Sequence, residues 1–237
     1  MDKYNVYQDM SRRTGGEIYL GIVGPVRTGK STFIKRFMEL VVIPEMTDDN
    51  EKVRTIDELP QSADGKTIMT TEPKFIPKEA AVIHFSNQET GKIRLIDCVG
   101  YLVPEAVGAI EEEKERMVKT PWSEEEIPFS KAAEIGTSKV IREHSNLGLI
   151  ITTDGSFGDI PAVNFEEALQ KTVMECEKAG KPFLILVNTS RPDSQETIQF
   201  TKRLEAQYGK TVMAVNCKTM DREDVFRIME QLLADFP

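Results

Sequence analysis

Apolar runs alternate with amphipathic segments along most of the chain, a pattern that predicts a mostly parallel β-sheet flanked by helices on both faces. The predicted strands cover residues 18–23, 75–85, 92–97, 147–152, 182–188 and 211–216. The predicted helices cover residues 31–42, 130–143, 163–179, 195–208 and 220–235. Right-handed crossovers between parallel strands would place a ligand at the carboxyl ends of the strands.

Three stretches of the chain lack this alternation. Residues 1–16 are polar and are predicted to form an N-terminal arm ahead of a domain that covers residues 17–237. Residues 44–72 begin at Pro44 and show little periodicity, which predicts a long irregular connection that is either functional or mobile. Residues 101–129 are rich in glycine, proline and glutamate and are predicted to form an insertion in the domain.

The composition narrows the class of protein. Of the 237 residues, 40% are hydrophobic and 29% are charged, which is typical of a soluble globular protein. The formal net charge of -9 argues against nucleic acid as a partner. Cys98, Cys176 and Cys217 are widely spaced and form neither a metal-binding pair nor a disulfide framework, which favours a reducing, cytoplasmic compartment. The apolar runs are too short to cross a bilayer, so we expect no direct insertion into a membrane.

Residues 24–31 fit the pattern G-x-x-x-x-G-K-[ST] of the phosphate-binding P-loop. They lie between the first predicted strand and the first predicted helix, where their backbone N–H groups and the helix N-terminus would bind phosphate. Lys30 is predicted to bridge the β- and γ-phosphates, and the Ser31 hydroxyl is predicted to hold Mg²⁺. The predicted nucleotide-binding residues of this segment are Gly24, Pro25, Val26, Arg27, Thr28, Gly29, Lys30, Ser31 and Thr32.

A second motif, D-x-x-G, ends the strand predicted at residues 92–97. Asp97 is predicted to hold Mg²⁺ through a water molecule, and the Gly100 amide is predicted to reach the γ-phosphate. Thr70 and Thr71 lie late in the 44–72 stretch, at the switch I position, where a threonine coordinates Mg²⁺ and contacts the γ-phosphate. The spacing leaves open which of the two threonines is the ligand. The order of elements and motifs is that of a small-GTPase-like domain.

The sequence departs from the small GTPases directly after Gly100. Ras-like proteins have a glutamine there that orients the attacking water, whereas this chain has Tyr101. The water would then be oriented by Thr70 or Thr71, or hydrolysis would be slow. Arg27 could stabilise developing charge from within the P-loop, but the backbone amides that fill such loops favour an orientation away from the phosphates.

A second departure concerns the base. Guanine-specific members carry N-K-x-D or T-K-x-D after the fifth strand, and the aspartate accepts hydrogen bonds from guanine. The matching residues here are 188–191, in which Asn188 is kept as a predicted nucleotide-binding residue and the acidic position is Arg191. Because arginine has no acceptor, adenine is predicted to be the base, and a GTPase with an unusual base pocket is the alternative.

Several longer segments resemble the stage IV sporulation protein A family of endospore-forming bacteria. They are residues 16–21, 27–34, 57–62, 65–75, 97–101, 120–122, 133–137 and 151–155. The resemblance implies an α/β P-loop NTPase fold of the small-GTPase-like (TRAFAC) type, with ATP and Mg²⁺ as ligands. It also implies that Lys30 and Ser31 are the Walker A pair, Asp97 the Walker B acid, and Thr70 and Thr71 the sensor threonines.

The same resemblance implies a biological role and partners. Members of the family hydrolyse ATP to drive their self-assembly into the basement layer of the spore coat, on the mother-cell side of the outer forespore membrane. The partners it implies are further copies of the protein, a small amphipathic peptide that recruits it to the membrane, and other coat proteins. Members are about twice as long as this chain, which would correspond to their nucleotide-binding domain. A nucleotide-gated scaffold with negligible turnover and a GTPase switch are the alternative functions.

Overall fold

A six-stranded sheet forms the centre of the computed structural model, which describes residues 16–60, 72–84, 90–106, 110–111 and 114–234. The strands are β1 (Glu17–Val23), β2 (Lys74–His84), β3 (Thr90–Asp97), β4 (Ile110–Glu111), β5 (Lys114–Glu115), β6 (Met117–Thr120), β7 (Ser123–Pro128), β8 (Leu147–Thr153), β9 (Phe183–Asn188) and β10 (Val212–Val215). The order in the central sheet is β10-β9-β8-β1-β3-β2. All its neighbouring strands are parallel except β2, which pairs with β3 in the antiparallel sense. The predicted α/β class with a mostly parallel sheet is therefore confirmed.

Helices lie along the sheet and mostly follow the predicted positions. They are α1 (Lys30–Phe37), α2 (Asp49–Glu58), α3 (Phe129–Lys139), α4 (Glu166–Lys178), α5 (Gln195–Tyr208) and α6 (Arg222–Ala234). Helix α1 continues through a π-helical turn (Met38–Val42) and a 3-10 turn (Ile43–Glu45), and α3 continues through a π-helical turn (Val140–His144). A 3-10 turn (Ala162–Phe165) leads into α4. None of the helices in the described part of the chain is long and apolar enough to cross a membrane.

The two faces of the sheet are covered by separate apolar clusters. Strand β8 shows this directly, because Leu149 and Ile151 belong to one cluster and Ile150, between them, belongs to the other. Strand β9 alternates in the same way, and each of its six residues is buried. Burial on both faces explains why these strands read as continuous apolar runs instead of alternating with polar residues.

The register of the strands brings their carboxyl ends to one edge of the sheet. Ile22 of β1 lies beside Asp97 of β3, and Val23 lies beside Ile150 of β8. Thr153, at the end of β8, pairs with Asn188, at the end of β9. The P-loop, the D-x-x-G motif and the segment that begins at Asn188 therefore start from neighbouring points.

Helix α2 lies inside residues 44–72, where the sequence predicts an irregular connection, so that prediction is wrong for this part of the stretch. Thr55 is the one fully buried residue of α2, whereas Val53 and Ile56 are 59% and 49% exposed. The helix therefore lacks the buried apolar face by which a helix is recognised in a sequence. The sequence does contain one signal of this helix, an aspartate at the N-cap position. The Asp48 carboxylate accepts hydrogen bonds from the backbone amides of Asn50 at 2.8 Å and Glu51 at 3.0 Å.

The insertion predicted at residues 101–129 contains two antiparallel hairpins, which the sequence pattern did not predict. Strand β4 pairs with β5, and β6 pairs with β7. Strand β7 is mostly exposed and carries three consecutive glutamates, so it lacks the apolar and polar alternation of a half-buried strand. The predicted N-terminal arm falls almost wholly on residues outside the described part, and the domain boundaries stay predictions.

We expect Leu20→Ala to lower the free energy of unfolding by about 2–5 kcal/mol, because Leu20 is fully buried in the cluster beneath α1 and the substitution leaves a cavity. Urea denaturation followed by circular dichroism measures the change. The matched control is Val53→Ala on the exposed face of α2, which should change stability by less than about 0.5 kcal/mol. Equal losses for the two variants would contradict the assignment of the core.

Candidate active site

The P-loop connects β1 to α1 through residues whose backbone takes unusual conformations. Gly24, Arg27 and Gly29 have φ values of 127°, 61° and 96°. At Gly24 a side chain is also excluded by space, because a Cβ there would lie 2.3 Å from the carbonyl oxygen of Ile151 in β8. The loop is thus pressed against the end of the neighbouring strand, which only a glycine allows at this point.

Lys30, at the start of α1, is buried beneath the loop with 5% of its surface exposed. Its Nζ donates hydrogen bonds to the Pro25 carbonyl at 2.6 Å and to the Gly24 carbonyl at 3.3 Å. Burial lowers the pKa of the Lys30 amine, and the neighbouring Cys98 and Asp97 partly oppose that shift. A buried ammonium held by carbonyls alone is poorly compensated, so the site fits an anionic ligand such as a phosphate group.

Ser31 and Asp97 meet at the carboxyl ends of β1 and β3. The Ser31 hydroxyl donates a 2.9 Å hydrogen bond to Asp97 Oδ2. Asp97 Oδ1 is buried and has no hydrogen-bond partner among the described residues. Burial raises the pKa of Asp97, although Lys30 and the Ser31 hydrogen bond act in the opposite direction. An unpartnered buried carboxylate oxygen beside a hydroxyl fits a hard cation such as Mg²⁺.

No group of three or more histidine, cysteine, aspartate or glutamate side chains in the described ranges could hold a metal ion. Mg²⁺ often binds through one or two protein oxygens and completes its octahedron with water and substrate phosphates. Ser31 and Asp97 therefore suit a cation that arrives together with a nucleotide. This agrees with the predicted metal role of both residues without testing it.

The segment after β3 lies directly on the P-loop. Gly100 has a φ of 92°, and a Cβ there would lie 2.0 Å from the Gly24 carbonyl oxygen and 2.7 Å from Lys30 Nζ. The next residue, Tyr101, accepts a 2.9 Å hydrogen bond from the Val26 amide through its carbonyl and forms an isolated parallel bridge with Pro25. Gly100 thus lies beside the amine, as its predicted role in binding the γ-phosphate requires.

The Tyr101 side chain belongs to a small apolar cluster. The ring is 6% exposed and packs in the cluster that contains Val26, Val103, Ile160 and Phe165. Burial raises the pKa of the Tyr101 phenol. The position that carries the water-orienting glutamine in Ras-like proteins is therefore occupied by a side chain committed to packing.

Asn188 braces the P-loop from the end of β9. Its Nδ2 donates a 3.0 Å hydrogen bond to the Thr28 carbonyl, and its Oδ1 accepts one of 3.0 Å from the Cys217 amide. A Cβ on Gly29 would lie 2.4 Å from Asn188 Nδ2, so the second glycine of the motif makes room for this amide. The sequence identified Asn188 but not its contact with Cys217, because that contact uses a backbone atom that any residue type would supply.

The remaining predicted residues fall into three groups. The buried Thr28 hydroxyl donates a 3.0 Å hydrogen bond to the Pro25 carbonyl and so stabilises the loop itself. Arg27 is exposed on the loop, and Thr32 is partly buried in the first turn of α1. Thr70 and Thr71 lie outside the described residues, so their predicted roles as metal ligands and sensors stay predictions.

Comparison with known proteins decides the family. The model of the family described as "Stage IV sporulation protein A, ATPase domain" matches residues 1–237. The chain belongs to this family. The P-loop NTPase fold predicted from the resemblance is thereby confirmed, and the family description names an ATPase domain.

Full-length relatives support the same assignment. The chain is 50% identical over 237 residues to stage IV sporulation protein A of Bacillus subtilis and 48% identical over 233 residues to that of Clostridioides difficile. These matches cover 100% and 98% of the chain but 48% of each relative, so the chain spans about half the length of the curated relatives it matches. Among solved structures, a mutation variant of SsGBP aligns with 96% of this chain and 58% of its own, with 13% identity and a TM-score of 0.48, a similarity too low to support a conclusion.

We expect Gly100→Ala to destabilise the protein by about 2–5 kcal/mol and to weaken phosphate binding, because the added methyl would clash with the Gly24 carbonyl at a positive φ. Gly180→Ala is the matched control, since Gly180 has a φ of 62° but no atom within 4 Å of the added carbon. The control should cost only about 1–2 kcal/mol of backbone strain. Thermal unfolding compares the variants, and equal losses would contradict the close contact between Gly100 and the P-loop.

Proposed function

We propose that this chain binds ATP together with Mg²⁺ and hydrolyses it to ADP and phosphate. The observation that carries the proposal is the partly buried Ser31–Asp97 pair, whose second carboxylate oxygen is buried without a hydrogen-bond partner among the described residues, next to the buried Lys30 beneath the P-loop. A buried ammonium under the P-loop and a carboxylate at the adjacent end of β3 are suited to a ligand that brings both phosphate and metal. Membership of a family described as an ATPase domain supports the same reaction.

Each residue of the site has a separate role in this proposal. The P-loop amides and the N-terminus of α1 would bind the phosphate oxygens, and the Lys30 amine would exchange the Gly24 and Pro25 carbonyls for them. Ser31 and Asp97 would hold Mg²⁺, which when bound neutralises charge that develops on the phosphates. The Gly100 amide would bind the γ-phosphate.

The attacking water needs an orienting group that Tyr101 does not supply, because its side chain is buried in an apolar cluster. We assign this role to Thr70 and Thr71, whose position before β2 is that of switch I. A threonine hydroxyl or carbonyl can accept a hydrogen bond from water and so fix its direction.

Adenine is the proposed base, because Arg191 lies where guanine-specific relatives of the fold have an aspartate. Arg191 is exposed after β9 and carries donors only. The ATPase description of the family points in the same direction. A GTPase switch is the alternative that a direct comparison of the two nucleotides tests.

We further propose that hydrolysis drives self-assembly of the basement layer of the spore coat, in the mother-cell cytoplasm. This role rests on the family resemblance and on relatives named as sporulation proteins. The proposed partners are further copies of the protein, a small amphipathic membrane-recruiting peptide and other coat proteins. Because the chain covers 48% of its relatives, we assign the nucleotide reaction to it and leave these contacts to the whole protein.

One observation favours a second function, a nucleotide-gated scaffold with negligible turnover. Tyr101 replaces the water-orienting glutamine, and its side chain is buried in the apolar cluster that contains Val26 and Phe165. In a scaffold, nucleotide would order the site without being hydrolysed.

Phosphate release with ATP and with GTP, measured side by side, tests the proposed reaction. We expect release with ATP and Mg²⁺ and none with GTP above the level of Lys30→Ala, the blank. Asp97→Asn should lower turnover at least about tenfold, which corresponds to about 1.4 kcal/mol of transition-state stabilisation. Its fold should persist, because a neutral amide replaces a carboxylate whose pKa burial already raises. Release with GTP alone would make the domain a GTPase.

The variants Thr70→Ala and Thr71→Ala distinguish the scaffold from an enzyme that hydrolyses ATP. If hydrolysis is real, at least one variant should retain the dissociation constant for ATP within about threefold while its turnover falls at least about tenfold. Calorimetric titration gives the affinity, and single-turnover phosphate release gives the rate. Thr201→Ala on α5 is a control for the loss of a hydroxyl, since Thr201 bonds to the Ile198 carbonyl of its own helix. Unchanged turnover in both variants would favour the scaffold.

A further inference from the structure

Two loops at the carboxyl edge of the sheet are tied together by the buried hydroxyl of Thr189. Thr189 follows Asn188 directly and has no exposed surface. Its hydroxyl donates a 2.6 Å hydrogen bond to Asp154 Oδ2, in the loop after β8. The same oxygen accepts hydrogen bonds from the Arg191 amide at 3.2 Å and the Ser156 hydroxyl at 3.4 Å.

The hydrogen bonds run in one direction and end on a carboxylate. The Ser190 amide donates to Ser156 Oγ at 2.8 Å, Ser156 donates to Thr189, and Thr189 donates to Asp154. The second Asp154 oxygen accepts from the Ser156 amide at 3.0 Å. Such a chain is stronger than isolated bonds, because each donor is polarised by the next and the last acceptor is charged.

This arrangement differs from the guanine-specific pattern at the residue next to Asn188. The pattern N-K-x-D has a long cationic lysine at that position. This chain has Thr189, whose short side chain is buried. On one side the Asn188 amide fixes the strand end to the Thr28 carbonyl of the P-loop. On the other side the Thr189 hydroxyl fixes the loop to Asp154. Residues 188–191 are therefore held in one conformation by hydrogen bonds to the P-loop, to the loop after β8 and to the first turn of α5.

We propose that Thr189 is a positioning residue for the adenine nucleoside, and this inference rests on the proposed function. With the phosphates on the P-loop, the nucleoside extends toward the loops that follow β8 and β9, because ligands of such sheets lie along the carboxyl edge. The Thr189–Asp154 hydrogen bond holds the loop at residues 189–191 in the conformation that receives the base. Thr189 acts through the loop and does not contact phosphate.

The test compares ATP with inorganic triphosphate, which has the phosphates but no nucleoside. In Thr189→Val, which keeps the shape and removes the hydroxyl, we expect the dissociation constant for Mg²⁺-ATP to rise about tenfold. The dissociation constant for Mg²⁺-triphosphate should stay unchanged. In turnover, KM for ATP should rise while kcat at saturating ATP stays within about twofold. Calorimetric titration and phosphate release supply the two readouts.

Matched variants separate positioning from folding. Thr189→Ser retains the hydroxyl and should restore ATP affinity. Thr172→Val removes an equally buried hydroxyl, which donates to Ala168 at 2.8 Å within α4, and should leave both affinities unchanged. Should Thr189→Val unfold, Asp154→Asn removes the charged acceptor at a partly exposed position and should show the same selective loss of ATP.

Three outcomes would overturn the inference. The first is wild-type affinity for ATP in both Thr189→Val and Asp154→Asn. The second is an equal loss of ATP and triphosphate, which would place the effect in the P-loop. The third is a wild-type protein that binds ATP no more tightly than triphosphate. The nucleoside would then add no affinity, although the phosphate site would still bind. A wild-type protein that binds neither probe would overturn the proposed function as well.

Discussion

The close approach of strand ends to the P-loop is the constraint on which the rest of the site depends. Gly24 lies against the Ile151 carbonyl of β8, Gly100 lies against the Gly24 carbonyl, and the Asn188 amide binds the Thr28 carbonyl. Three strands therefore fix one short loop from three sides. Positive φ values of this kind persist where the surrounding structure holds the backbone in place, as these contacts do. The geometry that binds phosphate is thus a property of the sheet edge as much as of the loop sequence.

The same packing places the Lys30 amine and the Asp97 carboxylate where burial disfavours their charged forms in the absence of a ligand. Burial lowers the pKa of Lys30 and raises the pKa of Asp97, so desolvation disfavours the charged form of both. Their mutual attraction and the Ser31 hydrogen bond offset only part of this cost. Under the proposed function, phosphate and a cation would supply the missing opposite charges, so binding would recover free energy that burial of the two groups costs on folding. A local loss of folding stability from buried, poorly compensated groups is characteristic of functional sites.

The sequence predicted those features that depend on side-chain pattern and missed those that depend on backbone atoms or orientation. The central strands were predictable from their short continuous apolar runs, and most helices from apolar residues that repeat with the helical period. Helix α2 was missed because Val53 and Ile56 face away from the core, leaving only the Asp48 cap as a signal. The P-loop and Asp97 could be brought together from the rule that parallel strands end at one edge. The amide of Cys217 leaves no such trace, since its contact with Asn188 involves no side chain.

The two departures from the small-GTPase pattern share one structural feature, which is that the replacing side chain is buried. Tyr101 and Thr189 occupy positions from which other members of the fold extend side chains toward the nucleotide, and both are buried here. Tyr101 joins an apolar cluster and Thr189 joins a hydrogen-bonded chain, so each strengthens the framework around the loops. Under the proposed function, orientation of the attacking water would then fall to Thr70 and Thr71. A site of this kind would separate the residues that bind the nucleotide from the residues that trigger its hydrolysis, because different segments of the chain would carry the two roles.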